Sequence, residues 1–313
     1  MNETREEPLP QLPPRAPDAH KGTFGTALIV GGSRGMTGAV TLAGLSALRG
    51  GAGLVRLAVA DRCLDAVAGF EPSYMTTALP DDAAGRISAA AYEPILALAH
   101  AATVVACGPG LGRSPDLEQL VVRLYKDLAQ PMVVDADALN ALALHPESLA
   151  QAGGPRLLTP HPGEFARLIG RKLEGPAAAD AAAELAGRCR LVVVLKGHHT
   201  LITDGRRQAR NTTGNPGMAT GGSGDVLTGL LTALACQGLP LYEAARLGVY
   251  LHGLAGDLAA AELGEVSLIA RDLIRFLPKA FNLPSPARGR RAGGEGDGSL
   301  SDRLPPSPPA PHA

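Results

Sequence analysis

The sequence contains no tryptophan and few other aromatics: five tyrosines and five phenylalanines, an aromatic share of 3%. That scarcity argues against a stacking surface for single-stranded nucleic acid. Neither sign of charge is in excess, with 29 Lys and Arg against 30 Asp and Glu. No strong field therefore draws the chain to nucleic acid or to an anionic membrane, and neither partner is expected. No stretch stays apolar over the roughly 18 residues that a membrane span requires. The N-terminus lacks a basic segment followed by an apolar one, so it does not read as a secretory signal. The four cysteines, Cys63, Cys107, Cys189 and Cys236, are scattered with no Cys-x-x-Cys pair. Buried thiols in a reducing compartment fit that pattern better than disulfides or zinc ligands, and a cytoplasmic location is expected. Asn211-Thr212-Thr213 matches a glycosylation acceptor, which carries no meaning without a secretory signal. Several familiar motifs are missing too. Without Gly-x-Gly-x-x-Gly the dehydrogenase reading is weak, and without Gly-x-x-x-x-Gly-Lys-Ser/Thr there is no P-loop. The absence of His-Glu-x-x-His argues against a zincin.

What is present has a clear order. Residues 1–19 are rich in Pro, Glu and Asp, and residues 284–313 combine Pro, Gly, Ser and an Arg288-Gly289-Arg290-Arg291 cluster with almost no large apolar side chains. Such composition predicts disorder at both ends, and the tail is assigned no function. The 313 residues thus reduce to one domain, expected over 20–283 and of ordinary size for an α/β fold. Within it, short apolar runs alternate with helical patterns. Strands are expected at 27–30, 54–59, 75–78, 103–106, 132–134, 156–158, 191–195 and 200–203. Helices are expected at 38–49, 88–100, 115–128, 137–143, 162–169, 176–188, 225–236, 241–261 and 270–277. Several strands are apolar throughout, the mark of parallel strands covered on both faces. The expectation is a doubly wound, mostly parallel α/β sheet in a three-layer sandwich, with helices on both faces.

Ligands of such sheets bind beyond the carboxyl ends of the strands. Here those ends are chemically loaded: Gly31-Gly32-Ser33-Arg34-Gly35-Met36-Thr37-Gly38-Ala39, Cys107-Gly108-Pro109-Gly110-Leu111-Gly112, Asp135-Ala136-Asp137-Ala138-Leu139-Asn140, Thr159-Pro160-His161-Pro162-Gly163-Glu164 and Lys196-Gly197-His198-His199-Thr200. One such end would be unremarkable. Five converging ends are hard to explain by packing.

The most informative segment is Asn215-Pro216-Gly217-Met218-Ala219-Thr220-Gly221-Gly222-Ser223-Gly224-Asp225. It is followed by Val226, Leu227, Leu230, Leu231 and Leu234 at the spacing of a buried helical face. A glycine-rich turn opening a helix presents N–H groups with no intrahelical partner, and those groups with the helix dipole suit a phosphate. Gly221, Gly222, Ser223 and Gly224 form the candidate anion hole, and Asp225 is the candidate general base for phosphoryl transfer to a hydroxyl. Taken alone, the segment reads equally well as a glycine turn with an acidic residue in the first helical turn.

Taken together, these motifs resemble the ADP-dependent NAD(P)H-hydrate dehydratases, a carbohydrate-kinase-like module of the ribokinase-like superfamily, over about residues 20–280. The resemblance implies that the S epimer of NADH hydrate or NADPH hydrate is dehydrated to NAD(P)H while ADP becomes AMP and phosphate. It implies Asp225 as the catalytic base, and Ala39, Gly110, His161 and Asp225 around the hydrated nicotinamide nucleotide, with Gly38 and Gly112 beside them. It places Lys196, Gly197, His198, His199, Thr200 and Gly224 on ADP. Residues at 198 and 199 are usually smaller in that family, which counts against a catalytic imidazole at either. Sugar kinases of the superfamily carry Asn-x-x-Glu, which organises magnesium through water. Here the span is His161-Pro162-Gly163-Glu164, so magnesium is expected with no direct protein ligand, and Glu164 acts through water. Asp135 and Asp137 could hold ribose or a magnesium water, or Asp137 could simply cap the following helix.

Many bacterial relatives fuse this module to an epimerase domain. The segment before Lys21 is too short for one, so a separate epimerase is expected. A homo-oligomer is also expected. The alternative within the superfamily is a kinase for a small alcohol such as hydroxyethylthiazole or a hydroxymethylpyrimidine. A regulatory ADP sensor is the alternative outside catalysis, and the presence of Asp225 beside an intact glycine loop argues against it.

Overall fold

A computed structural model describes residues 8–283. Nineteen elements alternate along the chain. They begin with β1 (Thr26–Val30), α1 (Thr37–Arg49), β2 (Leu54–Ala60), α2 (Leu64–Ala68) and β3 (Met75–Leu79). There follow α3 (Tyr92–Ala99), β4 (Val104–Cys107), α4 (Pro115–Asp127), β5 (Met132–Val134), α5 (Ala136–Ala143), β6 (Arg156–Leu158), α6 (Pro162–Ile169) and α7 (Gly175–Cys189). The last are β7 (Val192–Leu195), β8 (Leu201–Thr203), β9 (Gln208–Arg210), α8 (Ser223–Cys236), α9 (Leu241–Leu263) and α10 (Ala270–Asn282).

The nine strands form one sheet in the order β3-β2-β1-β4-β5-β6-β7-β8-β9. Every pairing from β3 to β7 is parallel, and β8 and β9 add an antiparallel edge. Helices α1, α8, α9 and α10 pack together as one layer, with α8 lying on β1, β4 and β5, and α3 to α7 form the other. This is the expected mostly parallel sandwich. The central strands are apolar on both faces because both faces are covered. Leu28, Ile29, Val30, Val104, Val105, Ala106, Val133 and Val134 are essentially inaccessible. Burying each of the larger ones contributes about 1.5–3 kcal/mol.

Arg156 is among the largest fully buried side chains. Its guanidinium donates to the carbonyls of Tyr125, Leu128, Gln130 and Pro155. Three of these lie at or just beyond the end of α4, so a buried cation closes that helix at its electronegative end.

Residues 8–19 were expected to be disordered. They have no regular helix or strand but lie along the body. Pro8 O accepts from Arg246, and Arg15 donates to Gly51 O while its guanidinium lies 3.8 Å from the centre of the Phe24 ring. Residues 1–7 and 284–313 of the expected end segments fall outside the described residues.

The strand order reverses between β1 and β4, and crevices for ligands open at such a switch. The loops leaving these two strands touch there. Gly32 N donates to Pro109 O at 2.9 Å, and Ser33 Oγ donates to Gly110 O at 3.0 Å.

Candidate active site

The floor of the crevice is an acidic cluster around one lysine. Asp135, directly after β5, is 1% exposed. Its Oδ1 accepts from Lys196 Nζ and from Thr159 Oγ1, both at 2.7 Å, and its Oδ2 accepts from Thr228 Oγ1 at 2.7 Å. One carboxylate thus ties together the ends of β5, β6 and β7 and the second turn of α8. Ala136 beside it adopts φ +49°, a left-handed conformation that alanine resists, so the turn after β5 holds strain next to the cluster. Lys196 Nζ also lies 3.9 Å from Glu164 Oε2. Burial works against the ammonium charge, but Asp135 and Glu164 outweigh it and raise the Lys196 pKa.

Asp225 is in the first turn of α8, which begins at Ser223. Gly222 precedes it as N-cap at φ +90°, and no side chain caps the helix. The first bond of the helical ladder is Val226 N donating to Gly222 O at 3.1 Å. The N–H groups of Gly224 and Asp225 therefore stand ahead of the ladder, free to face an anion. Lys196 reaches the same turn: its Nζ is 3.2 Å from the point that a Cβ on Gly224 would occupy. Burial first, then Asp135, Asp137 and Glu164, push the Asp225 carboxyl up to about 7 despite Lys196. A carboxylate poised there suits a general base at neutral pH.

His161 stands at the start of a second helix. It is the N-cap of α6, and its Nδ1 accepts from Gly163 N at 3.0 Å and from Glu164 N at 3.4 Å. Glu164 Oε2 in return accepts from His161 N at 2.8 Å, completing a capping box. Because Nδ1 accepts these bonds, the ring hydrogen sits on Nε2, and burial first, then Lys196 and Arg167, lowers the ring's pKa. Half of the His161 side chain remains exposed at the crevice mouth. Glu164 is buried, and burial raises its pKa against the pull of Lys196.

The other expected residues fall around this centre. The Cβ of Ala39 lies 3.0 Å from where a Cβ on Gly110 would sit, so the heads of α1 and of the loop after β4 meet. Gly197 and Thr200 close a turn through Gly197 N to Thr200 Oγ1 at 3.3 Å and Thr200 Oγ1 to Gly197 O at 3.0 Å. His198 and His199 are exposed on that turn, their rings 3.9 Å apart, and His199 Nδ1 lies 3.3 Å from Asn211 O. Asp137 is not the cap of α5, whose N-cap is Asp135. Instead its Oδ2 accepts from Gly112 N at 2.9 Å and pins the loop after β4. Sequence reasoning missed Thr228 and Thr159 as partners of Asp135. Thr228 lies 93 residues away along the chain and leaves no periodic signal.

Among the described residues, no three His, Cys, Asp or Glu side chains are grouped to hold a metal ion. Asp135 is spent on Lys196 and two threonines, so the donor set does not amount to a protein cage. It would suit a magnesium ion that arrives on nucleotide phosphates and keeps its own waters. No helix among these residues is long and apolar enough to cross a membrane.

Comparison with known proteins agrees with this geometry. A family model described as NAD(P)H-hydrate dehydratase matches residues 27–279. The ADP-dependent (S)-NAD(P)H-hydrate dehydratase of Neisseria meningitidis is 40% identical over 282 residues, covering 85% of this chain and 90% of the relative. The bifunctional NAD(P)H-hydrate repair enzyme Nnr of Moorella thermoacetica is 48% identical over 273 residues, 86% of this chain but 51% of the relative. The chain therefore spans about half the length of the bifunctional relatives. The crystal structure of the ADP/ATP-dependent NAD(P)H-hydrate dehydratase from Bacillus subtilis, co-crystallised with ATP and magnesium, superposes with a TM-score of 0.72 at 32% identity, covering 86% of this chain and 93% of that one. A carboxylate at an uncapped helix start has a buried lysine beside it, and the family model and the relatives lead to one conclusion: the chain belongs to the NAD(P)H-hydrate dehydratase family.

Proposed function

We propose that the chain dehydrates the S epimer of NADH hydrate or NADPH hydrate, with ADP converted to AMP and phosphate. The observation that carries the reading is the first turn of α8: free N–H groups at Gly224 and Asp225, with the Asp225 carboxyl pushed up to about 7 a few atoms away. Asp225 takes the proton of the hydrate hydroxyl. The hydroxyl oxygen attacks the terminal phosphorus of ADP, and the bond from that phosphorus to the oxygen of AMP breaks. Gly221–Gly224 hold the moving phosphoryl, and Lys196 offsets its charge. The phosphate ester then leaves the ring as inorganic phosphate, with loss of a ring proton, and the double bond of the reduced nicotinamide returns. Net, the hydrate loses water and ADP gains it.

The hydrate would lie along Ala39, Gly110 and the exposed half of His161. ADP would lie on the turn Gly197–Thr200 and on Gly224, with His198 and His199 contributing backbone. Magnesium, bound with the nucleotide, would neutralise phosphate charge, and Glu164 would reach it through water. The R epimer must first become S, a step we assign to an epimerase outside the described residues. We also propose a homo-oligomer, which light scattering would test. The functional test is product analysis. Recovery of NAD(P)H with stoichiometric AMP and phosphate supports dehydration. A stable phosphate ester instead would identify a small-alcohol kinase.

A further inference from the structure

The loop that carries the anion site rests on one helix. Residues His252, Gly253, Gly256 and Asp257 share a face of α9, as their spacing requires. The chain from Thr213 to Ser223 lies along that face. Thr213 Oγ1 donates to Tyr250 O at 2.9 Å and lies where a Cβ on Gly253 would meet it at 2.3 Å. Backbone atoms of Thr213 lie 2.7 Å from that same point, so Gly253 lets the loop come close, and Met218 Sδ would be 2.2 Å from a Cβ on Gly256. Asp257 takes the start of the loop: Gly214 N donates to Oδ2 at 2.9 Å and Asn215 Nδ2 to Oδ1 at 3.0 Å. His252 takes its end, with Nε2 3.0 Å from Ser223 O. A carbonyl can only accept, so Nε2 carries the hydrogen. His252 is 8% exposed, and burial lowers its pKa to about 4, so the ring is neutral wherever the enzyme would work.

We propose that His252 is a positioning residue: by donating to Ser223 O it fixes the first turn of α8, and with it the Gly224 and Asp225 N–H groups and the Asp225 carboxylate. The inference rests on the reading of that turn as the phosphoryl site. Ser223 is one residue before Gly224 and two before Asp225, so rotation of its peptide would turn the N–H that a phosphoryl must meet. Asp257 holds the far end of the same loop, and the two side chains together leave the eleven-residue motif little freedom before ligand arrives.

The test compares His252→Leu, which removes the donor, with His252→Gln, whose Nε2 reaches about as far. Tyr125→Phe is the matched control, because Tyr125 is a buried side chain donating to a backbone carbonyl, Leu149 O, in the opposite helix layer. Melting temperature, kcat, KM for the hydrate and calorimetric Kd for ADP are measured for all three. We expect His252→Leu to lose about tenfold or more in kcat, with KM for the hydrate within about threefold. His252→Gln should recover most of that loss, and Tyr125→Phe should lower the melting temperature while keeping kcat. If His252→Leu melts lower yet keeps kcat within about twofold, or if glutamine and leucine behave alike, the bond is merely structural and the proposal falls. Should the leucine variant not fold, His252→Asn, too short to reach Ser223 O, takes its place against glutamine. Should the parent protein fail to turn over the hydrate, the functional reading fails separately. The Kd for ADP then decides this inference: about tenfold weaker without the donor and restored by glutamine supports it, and no difference overturns it.

Discussion

Two helices open onto the same crevice and begin in opposite ways. Helix α6 starts with a complete side-chain cap: His161 accepts from Gly163 N and Glu164 N, and Glu164 accepts from His161 N. Helix α8 starts at a left-handed glycine with no side-chain cap at all. At α6 the chain satisfies its own N–H groups. At α8 it leaves them for something else, while an acid with a raised pKa waits in the same turn. The contrast separates stability from function within one motif type. A capped helix start has used its N–H groups, and an uncapped one beside a buried lysine and a carboxylate of raised pKa keeps them open, which is the ground for proposing a phosphoryl site there. His161 serves the cap of α6 while half of its side chain stays exposed.

The comparison can be broken most forcefully at Asp225. Asp225→Asn should keep the fold and ADP binding and lose about 10²- to 10⁴-fold in kcat, as removal of a general base does. Its stability should move the other way. The Asp225 carboxyl stands at about 7 against an ordinary 3.8, so the folded chain holds a proton in that range that the unfolded chain has released. That contribution is full below the unfolded value and is lost as pH rises through about 7. At about pH 8, Asp225→Asn should therefore melt a few degrees above its parent. The parent's kcat should rise with pH through about 7 as its melting temperature falls. A pH–rate profile and a melting series on the same preparations check both signs.

Next in size is Lys196→Met. It leaves Asp135 buried with no cation beside it, and unpairing a buried carboxylate typically costs about 3–5 kcal/mol. Chemical denaturation would measure that loss. Gly222→Ala comes third. Its φ of +90° and a Cβ 2.5 Å from Leu42 Cδ1 oppose any side chain, so stability should fall by about 1–2 kcal/mol and ADP binding should weaken with it. The smallest effect belongs to the capped helix. His161→Ala should cost about 1 kcal/mol of stability, as loss of an N-cap does, and His161→Asn should restore most of it. If His161→Asn instead kept stability but lost turnover as severely as Asp225→Asn, the division between the two helix starts would be wrong.

Much of this was legible in the sequence, for identifiable reasons. Apolar runs such as Leu28-Ile29-Val30 and Val104-Val105-Ala106 have no reading other than covered strands, and each strand end carried its own chemistry. Strand β9, Gln208–Arg210, was missed because a short polar strand at a sheet edge has no hydrophobic pattern. Helix α2 is only five residues long, too short for periodicity to show. Helix α10 runs on past Pro278, where the sequence suggested a stop, because Phe276, Leu277 and Ala280 remain packed in the core. In the site, motifs pointed to the candidate residues but not to what holds them. Asp135 gathers Thr159, Thr228 and Lys196, and His252 reaches Ser223, across separations that no local pattern encodes.

The most direct measurement follows the absorbance of reduced nicotinamide with the S hydrate of NADH and magnesium, adding ADP, ATP or no nucleotide, to the parent protein and to Asp225→Asn. The account predicts recovery of NADH only with nucleotide, with ADP sufficing, and none with the variant. Recovery without nucleotide, or undiminished recovery by Asp225→Asn, would contradict the assignment of the first turn of α8 as a phosphoryl site served by that carboxylate.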